Sequence, residues 1–135
     1  MAHAEQELAE SRSHRLAAET EPHDRLAAFI REYLPDDQHD PVWKLWIEGW
    51  LRSPSREAFA SVGEAADRQW HSDLTAALEH AAACGIRLAE PAADLARRLL
   101  FLLDGLALHV LAEHITVNDA ISVARTTIDC ELRPA

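Results

Sequence analysis

Apolar positions along this chain recur at helical spacing, and no segment alternates with the period of two that a half-buried strand requires. Leu8 and Leu16 stand among many charges in an amphipathic helical stretch from about Ala4 to Glu19. Pro22 is placed like a first-turn proline. Leu26, Phe29, Ile30 and Tyr33-Leu34 then make one face of a second helix, which Pro35 stops. After the Asp36-Asp37-Gln38-His39 loop, Asp40-Pro41 reads as N-cap plus first helical residue of a helix through Trp50 and Leu51. Ser53-Pro54 repeats that signal and opens a long helix, with Gly63 as a candidate bend and Gly85 as its C′ residue. Glu90-Pro91 opens a fifth helix. Thr116, with Asp119 three residues later, has the pattern of a capping box that begins a last helix to about Leu132. The pattern predicts a single all-α domain, a bundle of about six helices without strands.

The fifth helix is the unusual one. From Leu99 to Leu111 apolar side chains point in nearly every helical direction, and Gly105 sits in the middle. A helix that is apolar all round must be buried on all sides, yet a short chain has few helices with which to surround it. A mid-helix glycine costs about 1 kcal/mol against alanine, so it is easiest to understand where another backbone comes very close. Both features point to burial against a second copy of the chain.

Charge and composition narrow the classes of function. The 135 residues carry a formal net charge of −10 and fit one domain with a real core. Acids crowd the first forty residues, and no Lys/Arg stripe offsets them, so this polypeptide should not bind nucleic acid. Asp104 and His109 interrupt the best membrane-span candidate, well short of the ~18–20 apolar residues needed. The N-terminus is acidic and polar, unlike a secretory signal. Cys84 and Cys130 are far apart and form no CxxC pair; the expectation is two reduced, largely buried thiols in a cytoplasmic protein.

Trp43, Trp46 and Trp50 fall at i, i+3 and i+7 on one helix face, and Trp70 lies on the next helix. These rings are either core packing or the rigid lining of a cavity for a flat or apolar ligand, with Glu48, His71 or Asp104 supplying polar contacts. Asp104, inside an apolar helix, needs a partner: an arginine, a helix N-terminus or a ligand cation. The eight histidines are scattered, with no HExxH and no Glu-x-x-His pairs. His109 and His114 are five apart, which points them to different faces. There is no glycine-rich phosphate loop and no nucleophile elbow. The expectation is no catalysis, no metal and no cofactor.

Several features, taken in order, resemble the C-terminal effector and dimerisation region of TetR-family transcriptional regulators, particularly the BetI/AcrR-like branch. They are Asp24-Arg25-Leu26 leading to Tyr33-Leu34-Pro35, then Trp43-Lys44-Leu45-Trp46-Ile47-Glu48-Gly49-Trp50, then Arg68-Gln69-Trp70 with Leu74 and Leu78, and Gly85 ahead of a loop. The most specific is Leu102-Leu103-Asp104-Gly105-Leu106-Ala107-Leu108, followed by a short final helix. The resemblance spans Leu16 to Leu132. It implies that residues 1–20 are the remainder of a connecting helix and residues 21–135 the ligand-binding and dimerisation domain. The basic three-helix region with a helix-turn-helix that opens members of the family is missing here, in agreement with the acidic charge.

The resemblance further implies that the last two helices form a four-helix bundle across a two-fold axis. That would put Leu99, Leu102, Gly105, Leu106 and His109, with Val117, Ile121, Ala124 and Ile128, at the subunit interface. Pockets in the family lie among the middle helices and the first interface helix, which would place Trp46, Trp50, Trp70, Phe101 and Asp104 around a small apolar or aromatic effector. The expected role is an effector-sensing and dimerisation domain of a transcriptional repressor, with a homodimer partner, no direct DNA contact and no membrane. The rival reading is a helical homodimeric interaction module whose tryptophans are core and which binds no ligand.

Overall fold

The computed structural model describes the backbone of residues 2–52 and 56–134, and the side chains of residues 7–48 and 67–133. Six helices make up most of it: α1 Ala2–Ala18, α2 Pro22–Tyr33, α3 Pro41–Arg52, α4 Arg56–Ala83, α5 Ala92–Leu111 and α6 Val117–Glu131. Their ends fall where local chemistry puts them. Glu21 caps α2 by accepting from the Asp24 amide at 2.8 Å, with Pro22 at the first helical position. Leu34 is extended, as a residue before proline should be, and α2 stops there. Asp40 accepts from the Val42 amide at 3.0 Å to start α3. Gly85, at φ +97, follows the end of α4 in a conformation that excludes most side chains. The Ser53-Pro54 helix-start signal lies outside the described residues, and α4 runs helical through Gly63.

The predicted capping box at α6 is present in full. Thr116 Oγ1 accepts from the Asp119 amide at 3.1 Å, and Asp119 Oδ2 accepts from the Thr116 amide at 3.2 Å. Thr116→Ala is therefore expected to cost about 1 kcal/mol, read as a lowered urea midpoint with unchanged slope. An unchanged midpoint would mean that α6 is held by packing alone.

The core lies where α2, α4, α5 and α6 converge. Leu26, Phe29 and Ile30 from α2 meet Leu74, Ala77 and Leu78 from α4, and Leu95, Leu99, Leu103, Ala107 and Val110 form the inward row of α5. Ala120, Ala124 and Ile128 complete it from α6, and α1 adds Leu16. Leu8, expected beside Leu16 on the apolar side of α1, is exposed.

One feature differs from the expectation. A small antiparallel sheet joins β1 (Ile86–Leu88) to β2 (Leu132–Pro134), in the register Ile86↔Pro134, Arg87↔Arg133 and Leu88↔Leu132. Three residues are too few to show alternation, and each strand exists only because its partner is brought in from the other end of the domain. The pair ties the α4–α5 connection to the end of α6, and Arg98 reinforces it by bridging Glu90 and Glu131. Helix α5, in keeping with the shortage of helices to surround it, is not covered on all sides by its own chain. Its inward row is buried, while the opposite face stays open.

Candidate functional site

A cavity of about 570 Å³ opens where α2, α3, α4 and α5 meet, a size suited to a small organic molecule. Its aromatic wall is Tyr33, Trp43, Trp46 and Trp70. Pro35 and the Asp40 cap set the turn that delivers Trp43 onto the end of α2, where its indole Nε1 donates to the Tyr33 carbonyl at 3.2 Å. Tyr33 meets Trp70 edge-on at 4.8 Å between ring centres and Trp43 at 5.9 Å. Phe29, buried behind them, stacks on Tyr33 and meets the Trp70 edge at 5.5 Å. Tyr33, Trp43 and Trp70 are thus fixed by one another and by Phe29, which suits a lining more than a loose surface.

The acidic side is Asp67 and Asp104, which line both this cavity and a smaller one of about 150 Å³ next to it. The partner that Asp104 needs turns out to be none of the three expected: the Tyr33 hydroxyl donates to its carboxylate. Burial pushes the Asp104 carboxyl above the ordinary carboxylate range; the Tyr33 hydrogen bond partly opposes this and the charge of Asp67 adds to it. Burial raises Asp67 as well. Tyr33 is raised far above an ordinary phenol, chiefly by burial and then by the Asp104 charge, so it remains a neutral donor. The wall also contains Arg31 and Glu32, but Glu32 is engaged by Arg15 at 3.0 Å and Asp40 by its helix cap.

Of the five residues expected around a ligand, the structure brings Trp46, Trp70 and Asp104 to the larger cavity, and Trp70, Phe101 and Asp104 to the smaller one. The side chain of Trp50 lies outside the described residues. His71 borders the smaller cavity, with Nε2 donating to the Ala93 carbonyl at 2.8 Å. Glu48 is exposed on α3. Tyr33 was missed as a site residue, because it read as an apolar position of a helix face and its partner is 71 residues away. Asp67 carried no pattern that distinguished it from a solvated acid.

A second surface of interest is the open face of α5. Phe101 is 67% exposed and Leu108 49%, with Leu102 and Gly105 half-buried between them and Val123 of α6 at 45%. A Cβ placed on Gly105 would meet nothing within 4 Å, so the glycine faces open space in the single chain. Of the residues expected at a subunit interface, Leu102, Gly105, Leu106, His109, Val117 and Ile121 keep exposed surface. Leu99, Ala124 and Ile128 instead face the chain's own core, with 3%, 0% and 5% of their surface accessible. Leu99 belongs to the inward row with Leu95 and Leu103, one helical turn to either side, so little of it is left for a second copy.

His109 and His114 do not diverge as their spacing suggested. Helix α5 ends at Leu111, and Glu113, at φ 61, turns the chain back so that the two Nδ1 atoms lie 3.0 Å apart in a hydrogen bond. No group of three or more metal-binding side chains occurs among the described residues. Cys84 and Cys130 are both free and exposed rather than buried. No helix is long and apolar enough to cross a membrane among the described residues.

Residues 22–133 match the family model described as "BetI-type transcriptional repressor, C-terminal". Neither the curated proteins nor the solved structures contain a significant match to the chain.

Proposed function

Because the chain belongs to the BetI-type transcriptional repressor C-terminal family, we propose that it is the effector-sensing and dimerising part of such a regulator, binding a small aromatic or apolar ligand that carries a positive charge. The observation that carries this reading is the pairing of an aromatic wall with two carboxylates: Asp104, whose burial disfavours its charge, and the more exposed Asp67, which partial desolvation shifts the same way. An organic cation between them gains contact with aromatic faces and relieves the desolvated acids. Anionic ligands are repelled by the same groups. The family assignment and the open apolar face of α5 support pairing with a second copy through α5 and α6. Residues 1–20 then act as the connecting helix and the rest as the sensing domain. The net charge of −10 opposes contact with phosphates, so this segment governs DNA binding without touching DNA. A coupling of about 1–3 kcal/mol between cavity and DNA readers suffices for a 5–150-fold change in operator affinity. Such a regulator works in the cytoplasm, where exposed thiols such as Cys84 and Cys130 stay reduced.

Tryptophan fluorescence titration with benzyltrimethylammonium and its neutral carbon isostere, neopentylbenzene, tests the ligand class. The cation is expected to bind about tenfold tighter than the isostere. Asp104→Asn should remove most of that preference while leaving neopentylbenzene unaffected. The preference should also fade as pH is lowered, and at a higher pH than it would for ordinary carboxylates. Asp67 and Asp104 protonate at higher pH than ordinary carboxylates, and the negative charge that holds the cation is then lost. Equal affinity for the two probes would overturn the charge assignment. An emission spectrum indifferent to a panel of cationic and neutral aromatics would favour the rival reading, a homodimeric interaction module with a closed aromatic core.

A further inference from the structure

Trp70, on the cavity wall, has one ring face occupied by a residue from the N-terminal helix. The Arg12 guanidinium of α1 lies 3.6 Å from the centre of the Trp70 ring, and its Nε donates to Asp73 Oδ2 at 2.9 Å. Both members of that ion pair are buried. Asp73 is held in turn by Ser13 Oγ at 2.8 Å and Gln69 Nε2 at 3.1 Å. A chain of direct contacts therefore runs from Asp104 through Tyr33 and Trp70 to Arg12, joining the cavity to α1.

The energetics of such a pair say what it is for. A buried ion pair is often matched in stability by apolar groups of the same volume, so its distinctive contribution is geometry. The planar guanidinium fixes one orientation against both the carboxylate and the indole face. Among the described residues of α1, Leu16 is buried, Ser13 bonds Asp73 and Gln69, and the Arg15–Glu32 pair to α2 is solvated, whereas Arg12 lies directly on a ring of the cavity wall. We propose that Arg12 is the positioning residue that couples the cavity to α1, so that the placement of the Trp70 ring sets how α1 lies on α4. This rests on the ligand reading for its trigger, but the mechanical link itself does not.

A double-mutant cycle read by amide hydrogen exchange in residues 7–18 tests the link without any ligand. Tyr33→Phe removes the hydroxyl that pins the ring to Asp104 and is expected to change α1 exchange by about fivefold. In an Arg12→Met background the same substitution should change it by less than about twofold. An Arg15→Met background should retain the full effect, because Arg15 does not touch Trp70. Arg12→Lys keeps the charge but loses the planar stacking, and it carries the test if Arg12→Met fails to fold. No response to Tyr33→Phe in the otherwise native protein, or an equal response with and without Arg12, overturns the proposal. Benzyltrimethylammonium supplies a second arm. It should alter α1 exchange in the native protein, and leave α1 unchanged in Arg12→Lys while still perturbing tryptophan emission. If the probe fails to bind the native protein, the ligand reading falls, and the mutant cycle still decides the role of Arg12.

Discussion

Gly105→Leu is expected to give a chain that folds normally and no longer pairs. The glycine lies in the middle of α5, and a side chain there meets nothing of its own subunit within 4 Å. Removing a mid-helix glycine should even favour the isolated helix by up to about 1 kcal/mol. Any penalty must therefore come from what lies across the open face formed by Phe101, Leu102, Leu108 and Val123. Apolar side chains left exposed along one helix face, such as Phe101 and Leu108 at i and i+7, mark an interaction site. In a two-fold interface every intrusion occurs twice, and overpacking costs about 1–3 kcal/mol each time, so dimerisation should weaken by roughly 100-fold. Light scattering at micromolar concentration reads the result: twice the chain mass for the native protein, the chain mass for the variant, with the same far-ultraviolet circular dichroism. A native protein that is monomeric, or a variant that still pairs, sinks the interface. A variant that unfolds would mean that Gly105 faces inward.

Phe29→Ala should produce the largest loss of stability that bears on the cavity. Phe29 is fully buried and props both Tyr33 and Trp70 from behind. Truncation of a buried phenylalanine costs about 3–5 kcal/mol, against about 5–15 kcal/mol for a whole domain. At an ordinary urea slope this lowers the midpoint by about 2 M. Measurements at one protein concentration avoid confusion with dimer mass action. The affinity for benzyltrimethylammonium should fall together with stability, because the two rings lose their backing. Trp46→Ala separates the two quantities. Trp46 sits at the partly exposed edge of the cavity, so its loss should weaken the probe while shifting the urea midpoint little. A Phe29→Ala variant of native stability would contradict the aromatic scaffold described above.

What the amino-acid sequence could reveal follows from how local each feature is. Pro22, Asp40-Pro41, Gly85 and the Thr116–Asp119 pair act on their own neighbours, so helix ends could be placed from them. The rotational phase of α5 could not. A helix apolar in every direction carries no mark of which side faces home, and Leu99 and Leu108 are indistinguishable by residue type although one is buried and the other open. The cavity was legible as a set of tryptophans but not as a wired site. Asp104 needed Tyr33, and Trp70 needed Arg12, a residue that reads as one more charge on a solvated helix. The β1–β2 pair escaped for the same reason, since its hydrogen bonds join two ends of the domain.

That small sheet divides the molecule in a way its size conceals. Its hydrogen bonds, with Arg98 across Glu90 and Glu131, close α5 and α6 into a ring anchored at the end of α4. Helices α1 to α3 lie outside the ring, and the cavity falls on the seam, with Tyr33, Trp43 and Trp46 contributed from outside and Asp104 from within. On the proposed reading, a ligand in that seam would touch both parts at once, while the sheet and Arg98 hold the α5–α6 end closed.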